Sequence, residues 1–405
     1  MNQTTTSTIE TQLKAIQQLI QRAKFDDAIA QGQILRQNTM DTQHKIQLWY
    51  LIAVAQRYTK KYDNALDSIN NLHKLDKKHS RARQEQGYNF LALNLPEQAK
   101  SAFEKAVQLN PSLVASWQEL IELYRSSGQQ EKVQKTANQL EKLKKFPPAL
   151  LAVTEYMHEG KLLKAEQICR HFLQNNKHHV EGMCLLAEIG MELKIYDDAE
   201  FLLASALELA PTHIYARSQY LNLLIQLGKY KAAEQQVDML LLKQPNNLSF
   251  NIAKANTLTG LGKTEQAIAL YEQTIAQAEN DMAPLSMEKN IQLAHVQLQL
   301  GHALKAKGDI TKAITSYQKA YQLNPSYGDA FWSLANTKTY RFSDEEISQM
   351  QSQQTNIDLP ATDKIQLFFA TGKAFEDRQD YKQAFQSYRK ETSYNMILVA
   401  LTLLK

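Results

Sequence analysis

One residue recurs in this chain at a fixed phase, and that phase leaves little choice of fold. Ala28, Ala65, Ala99, Val133, Ala165, Ala199, Ala233, Ala267, Ala313 and Ala384 are spaced by 37, 34, 34, 32, 34, 34, 34, 46 and 71 residues. A period of this length marks a stacked array built from one supersecondary unit. Other residues keep step with it. Three before the alanine stands a large side chain in many units: Phe25, Tyr62, Tyr196, Tyr230 and Tyr381. Five before it comes Gly128, Gly160, Gly228, Gly262 or Gly308, and twelve after it Pro111, Pro211, Pro245 or Pro325.

Each mark has a physical reason. The glycine accepts a positive φ and ends a first helix. The aromatic opens a second helix, the alanine lets the pair approach closely, and the proline stops the unit. Between the marks, apolar residues fall at three- and four-residue steps, as in Leu202, Leu203, Ala206 and Leu207, which is helical spacing. With 13 Gly and 9 Pro in 405 residues the composition also favours helix. A chain this long exceeds one ordinary core, whereas a repeat array needs none.

The pattern resembles the tetratricopeptide repeat, a helix–turn–helix of 34 residues. The fullest unit carries Leu300, Gly301, Ala303, Gly308, Ala313, Tyr317, Ala320 and Pro325. The resemblance implies an all-α, right-handed α-solenoid of about ten units. The organisation expected is a disordered tail over 1–8, an array over 9–279, a unit with an extended first helix over 280–327, a degenerate unit plus a final one over 328–390, and an apolar tail over 391–405. The long spacing near Asn280 to Lys289, which contains Pro284, is read as absorbed by the longer first helix. Ser343 and Glu346 have capping-box spacing and predict a helix start, with a loop over Thr355 to Ala361.

Two stretches are more specific. One runs Asn324-Pro325-Ser326-Tyr327-Gly328-Asp329-Ala330-Phe331-Trp332-Ser333-Leu334-Ala335-Asn336, then Thr339-Tyr340-Arg341-Phe342. The other runs Phe369-Ala370-Thr371-Gly372-Lys373-Ala374-Phe375-Glu376-Asp377-Arg378, with Asp380-Tyr381, Ala384-Phe385 and Tyr388-Arg389-Lys390. Both resemble the junction in bacterial tetratricopeptide-repeat sulfotransferases, where a repeat array precedes a catalytic domain that uses phosphoadenosine phosphosulfate. The resemblance implies a substrate-recognition arm. No position here matches that domain's phosphate loop, so no catalytic or cofactor-binding residue is carried over. After Lys390 the apolar run Met396 to Leu404 is read as out of frame, as if the chain were truncated before the catalytic domain. The alternative is an active sulfotransferase when the full-length protein is made.

Other motifs have plainer readings. Gly262-Lys263-Thr264 looks like the end of a phosphate loop, but Thr257 replaces the required glycine. His171, His178 and His179 near Cys169 match no zinc spacing, so no metal site is expected. Trp49, Trp117 and Trp332 are read as core, at the fourth position of a first helix. The net charge of +4 and the mixed signs along the chain argue against nucleic acid. No segment is long and apolar enough to span a membrane, the two cysteines are too few for a disulfide framework, and no signal peptide opens the chain. The protein is therefore expected in the cytoplasm.

That leaves the concave face expected of the first helices. Position nine of the late units reads Asn222, Asn256, His302 and Asn336, and position five Ser218, Ile252 and Leu298. Amides repeating unit by unit can hydrogen-bond an extended backbone, so these four residues are the candidates for a groove that holds a protein or peptide ligand. Arg217 is placed off that face. An envelope assembly factor is a further possibility that would call for a signal or anchor sequence.

Overall fold

In the computed structural model, residues 2–38, 40–280, 287–356 and 359–403 are described, and their regular structure is helical throughout. The chain forms two compact units, Met1–Leu202 and Leu203–Lys405. Helices alternate as first and second members of pairs. The first unit holds α1 (Asn2–Gln21), α2 (Phe25–Leu35), α3 (Thr42–Tyr58), α4 (Tyr62–Leu75), α5 (Ser80–Ala92), α6 (Pro96–Leu109), α7 (Val114–Ser126), α8 (Gln130–Lys144), α9 (Pro148–His158), α10 (Leu162–Asn175) and α11 (Val180–Glu192). The boundary falls within α12 (Tyr196–Leu209). The second unit continues with α13 (Ile214–Gln226), α14 (Tyr230–Lys243), α15 (Leu248–Gly260), α16 (Thr264–Asn280), α17 (Met287–Lys307), α18 (Ile310–Leu323), α19 (Gly328–Ala335), α20 (Asp344–Gln354), α21 (Ala361–Asp377) and α22 (Tyr381–Leu403). Helix α1 thus takes in most of the segment expected to be a tail, and α22 carries on through the apolar run.

The phased residues sit where their chemistry requires. Ala28, Ala65, Ala99, Ala165, Ala199, Ala233, Ala267 and Ala313 have no exposed surface. Five residues before each of them the backbone turns left-handed. Gly128, Gly160, Gly228, Gly262 and Gly308 have φ of 70, 70, 70, 74 and 94°. At the same place in other units Ala23, Lys60, Asn94, Lys194 and Gln379 are held at φ 57 to 63°. A side chain there costs about 1 kcal/mol or more, so glycine is favoured at this turn without being indispensable.

Two devices secure the start of the first helices. The residue before the helix often caps it: His79, His179 and His213 accept through Nδ1 from the N–H of Ala82, Gly182 and Ala216 at 3.1, 3.2 and 3.1 Å, and Asn247 does the same for Phe250. The fourth residue then donates to the carbonyl of the preceding proline. Trp117 Nε1 reaches Pro111 O at 2.8 Å, Arg217 reaches Pro211 O at 2.5 Å and Asn251 Nδ2 reaches Pro245 O at 3.2 Å. Arg217 is therefore engaged by its own loop and by Gln236 of α14. Trp117 and Trp49 are partly buried against neighbouring clusters, as expected.

The two breaks in phase resolve differently. The long spacing is shared: α16 lengthens to 17 residues and α17 to 21, against 14 and 13 in an ordinary pair such as α14 and α15. The first helix α17 is extended as expected and takes most of the excess, α16 takes a smaller part, and Pro284 lies outside the described residues. In the degenerate unit α19 has only eight residues. Helix α20 then starts with the expected capping box, Ser343 and Glu346 bonding each other's backbone N–H. Counting from Gly328, Ile347 takes the alanine's place and is buried. A first helix this short leaves no close crossing at that level, so a larger side chain fits.

Histidine caps make stability depend on pH. A ring accepting through Nδ1 must be neutral, and burial holds the His79 cap below its ordinary value; burial also pushes His73, which donates from Nδ1 to the Asp76 carbonyl and caps no helix start, down to about 4. Groups depressed in the folded state contribute stability above about pH 6.5 that fades as pH falls toward the folded value. The melting temperature should fall between pH 6.5 and 5, and His79→Asn, which keeps the acceptor without the titration, should flatten that fall. At the turns, Gly262→Ala meets open space, so its cost of about 1 kcal/mol in a denaturant melt is pure backbone strain.

Candidate functional site

In each unit the first helices line one face. In the first unit that face is crossed by internal ion pairs. Arg57 binds Glu85 at 2.6 Å and lies over the rings of Tyr58 and Tyr88 at 4.3 and 5.0 Å. Arg81 of α5 reaches past α7 to Glu155 and Glu159 of α9 at 2.5 and 2.7 Å, and Lys161 adds a further contact to Glu159. These groups satisfy one another.

The second unit holds all four candidates. Helices α13, α15 and α17 pack in succession, which places Asn222, Asn256 and His302 on one face, with Asn336 at the end of α19. The four are not chemically equivalent. Asn222 is exposed. Asn256 Oδ1 accepts from Tyr271 OH at 2.6 Å, and His302 Nδ1 pairs with Tyr317 OH at 3.1 Å. Both tyrosines come from the second helix of the same repeat. The Tyr317 ring passes beneath Gly301, where a Cβ would lie 2.4 Å from it, and its hydroxyl emerges at the next residue. Burial holds His302 neutral by lowering its pKa. Asn336 is half-buried, its Nδ2 enclosed without a partner, while its carbonyl accepts from Lys305 Nζ at 3.3 Å. The fold therefore engages two of the four from behind.

Position five is also altered. Ile252 is half-buried, but Leu298 is 1% exposed and belongs to the core. Trp332, expected in the core at position four, is 38% exposed. The unit begins at Gly328, as the others begin three residues after their proline, so Phe331 fills position four with no exposure and Trp332 stands at position five. Its neighbour is Phe369, at the same position of α21, with ring centroids 6.3 Å apart, and Tyr388 lies 6.0 Å beyond. Helix α21 packs directly on α19 because Gly328 has no side chain: a Cβ there would sit 2.5 Å from the Asp363 carbonyl oxygen. Asp363 Oδ1 in turn accepts from Gly328 N–H at 2.9 Å. Counting from Pro325 was the signal in the sequence that would have found Trp332.

The remaining motifs are structural. Gly262-Lys263-Thr264 forms an inter-helix turn, with Lys263 paired to Glu234 at 3.0 Å. Cys169 is buried and its thiol is pushed up to about 12 by burial. Among the described residues no three His, Cys, Asp or Glu groups could hold a metal ion, and no helix is long and apolar enough to cross a membrane.

A paired-helix array with this register is a helical repeat solenoid. Tetratricopeptide-repeat models match residues 80–113, 191–256, 252–283 and 301–338, and the chain is a tetratricopeptide-repeat protein. Among curated proteins it is 32% identical over 133 residues to the Vi polysaccharide export protein VexE of Salmonella typhi, a match covering 33% of this chain and 20% of that protein. Solved structures similar to it include a MamA fragment from Desulfovibrio magneticus (TM-score 0.38, 17% identity, 44% of this chain and 94% of that one). They also include a tetratricopeptide repeat protein from Parabacteroides merdae (0.36, 18%, 60% and 93%) and human IFIT1 with m7Gppp-AAAA (0.43, 14%, 95% and 90%).

Replacing Gly328 by alanine drives a Cβ into backbone that cannot yield. We expect a loss of about 1–3 kcal/mol and a red shift of tryptophan emission as α21 lifts from Trp332; an unchanged melt and spectrum would contradict the close approach.

Proposed function

We propose that the chain is a protein- or peptide-binding scaffold whose contact surface is the first-helix face of the second unit. The observation that carries this reading is the run of Asn222, Asn256 and His302 on successive first helices, continued by the exposed Trp332. Tetratricopeptide arrays offer such faces as extended contact surfaces, and polar groups repeating from unit to unit suit an extended chain. Within that reading the array serves as the substrate-recognition arm of a bacterial sulfotransferase acting in the cytoplasm, which the stretches 324–342 and 369–390 support by resemblance. Sulfuryl transfer from phosphoadenosine phosphosulfate would then belong to a catalytic domain other than this array, and nucleic acid is not the ligand. The partial match to a polysaccharide export protein favours a second reading, in which the same face holds a component of an export assembly.

Photo-crosslinking separates these outcomes. A benzophenone side chain at Asn222 or Asn256 should capture a polypeptide partner, while the same group at Leu242, which is 83% exposed on a second helix, should not. Replacing Asn222, Asn256 and Asn336 together by alanine should weaken that partner's binding by about tenfold in calorimetry, about 0.5 kcal/mol for each hydrogen bond lost. Capture at Leu242 alone overturns the assignment of the face. Sulfuryl transfer from labelled donor by the 405-residue chain overturns the recognition-arm reading in favour of an active enzyme.

A further inference from the structure

At the step from α19 to α21, two carboxylates that form no ion pair among the described residues stand near the exposed Trp332 and the half-buried Phe369. Asp329 is the second residue of α19, one turn before Trp332, and it accepts from Ser333 Oγ at 3.4 Å. Asp363 receives one backbone N–H from Gly328. Its carboxyl is held above the usual carboxylate range by burial and by the charge of Asp329, so the two acids are near enough to feel each other. Nearby cations are otherwise engaged. Lys373 binds Asp377 at 2.7 Å and Arg341 binds it at 3.2 Å. Lys305 bonds the Asn336 carbonyl. Lys364 is buried, with its ammonium 6.0 Å from the Tyr394 ring. His295 and His302 both feel the charge of Asp329, but burial lowers their pKa and keeps them neutral. Tyr327 and Tyr317 complete the surroundings as neutral phenols, their ionisation pushed up by burial and by Asp329.

This patch has an unmet charge of one sign and a π-face of matching character. An anion or acidic segment would add a third like charge. A guanidinium or ammonium would relieve the repulsion between the two acids and lie against the indole face, which attracts cations. We propose that the α19–α21 step is the seat for a basic side chain, arginine before lysine, of the segment bound on the first-helix face. The inference rests on the scaffold reading above and adds the chemistry of the ligand. Arginine is preferred because its planar fork can bridge two carboxylates while stacking on Trp332.

The test uses the full chain and end-blocked nonapeptides alternating Ser with Arg, Gln or Glu, read by tryptophan emission and calorimetry. The Arg peptide should bind most tightly, and its affinity should fall as salt rises. Asp329→Asn and Trp332→Leu should each weaken it by about threefold to tenfold. Asp329→Asn should leave the melting temperature nearly unchanged, because the relieved repulsion offsets the loss of a carboxylate from the first turn of α19, and this distinguishes lost recognition from lost fold. If the Gln or Glu peptide binds as well as the Arg peptide, or Asp329→Asn leaves Arg-peptide affinity unchanged, the basic seat is wrong while the scaffold reading stands. If no peptide binds and the benzophenone at Leu242 alone captures a partner, both fall together.

Discussion

Most units of this molecule depend on one close approach. Where two helices of a pair cross, the second usually contributes a side chain no larger than a methyl group, and the backbones come near enough for the rest of the pair to mesh. Eight of the phased alanines have no exposed surface. Buried apolar area supplies most of the favourable free energy, but the crossing decides where that area lies. Once it is set, the left-handed turn, the opening aromatic and the closing proline follow as ways to enter and leave a fixed geometry. Two units depart from it: Val133 takes the place in α8, and beside the shortened α19 Ile347 occupies the site.

The same economy shapes the first-helix face. A small residue at position eight lets a tyrosine from the second helix pass beneath the first, and its hydroxyl appears beside position nine. Asn256 and His302 are thereby oriented by the repeat itself. The face is a polar surface whose members are held from within to different degrees, with Asn222 exposed and Asn336 half-enclosed. At α19 and α21 the pattern changes from amides to an aromatic pair flanked by acids, so one face offers two kinds of contact along its length.

The fold was legible because periodicity is a property of sequence. Ala28 through Ala384 could be read off by counting, and the Ser343–Glu346 box named a helix start correctly. The sequence hid what depends on partners distant in the chain. Trp332 was misplaced by one residue because the aromatic pair Phe331-Trp332 satisfies either register locally, and only the start of α19 at Gly328 decides between them. Leu298 was assigned to the face because position five is usually open, and burial against the core overrides that. The engagement of Asn256 and His302 by tyrosines fifteen residues away follows from stacking geometry that no local pattern encodes. Asp329 and Asp363 are thirty-four positions apart and come to the same helix step because Gly328 admits the backbone of α21.

A repeat array is usually treated as a row of units, each feeling only its neighbours. Arg81 departs from that arrangement, since it joins α5 to α9 over the intervening first helix α7. A tie of this kind adds a next-nearest-neighbour coupling to what would be a one-dimensional chain. It falls where the hydrophobic cluster around Phe103 gives way to the one around Leu150. Separating either end exposes a half-buried guanidinium or two glutamates, so opening a hairpin between them disturbs a contact that its immediate neighbours do not make. The tie spans the three repeats from α5 to α9 and couples them beyond nearest-neighbour packing.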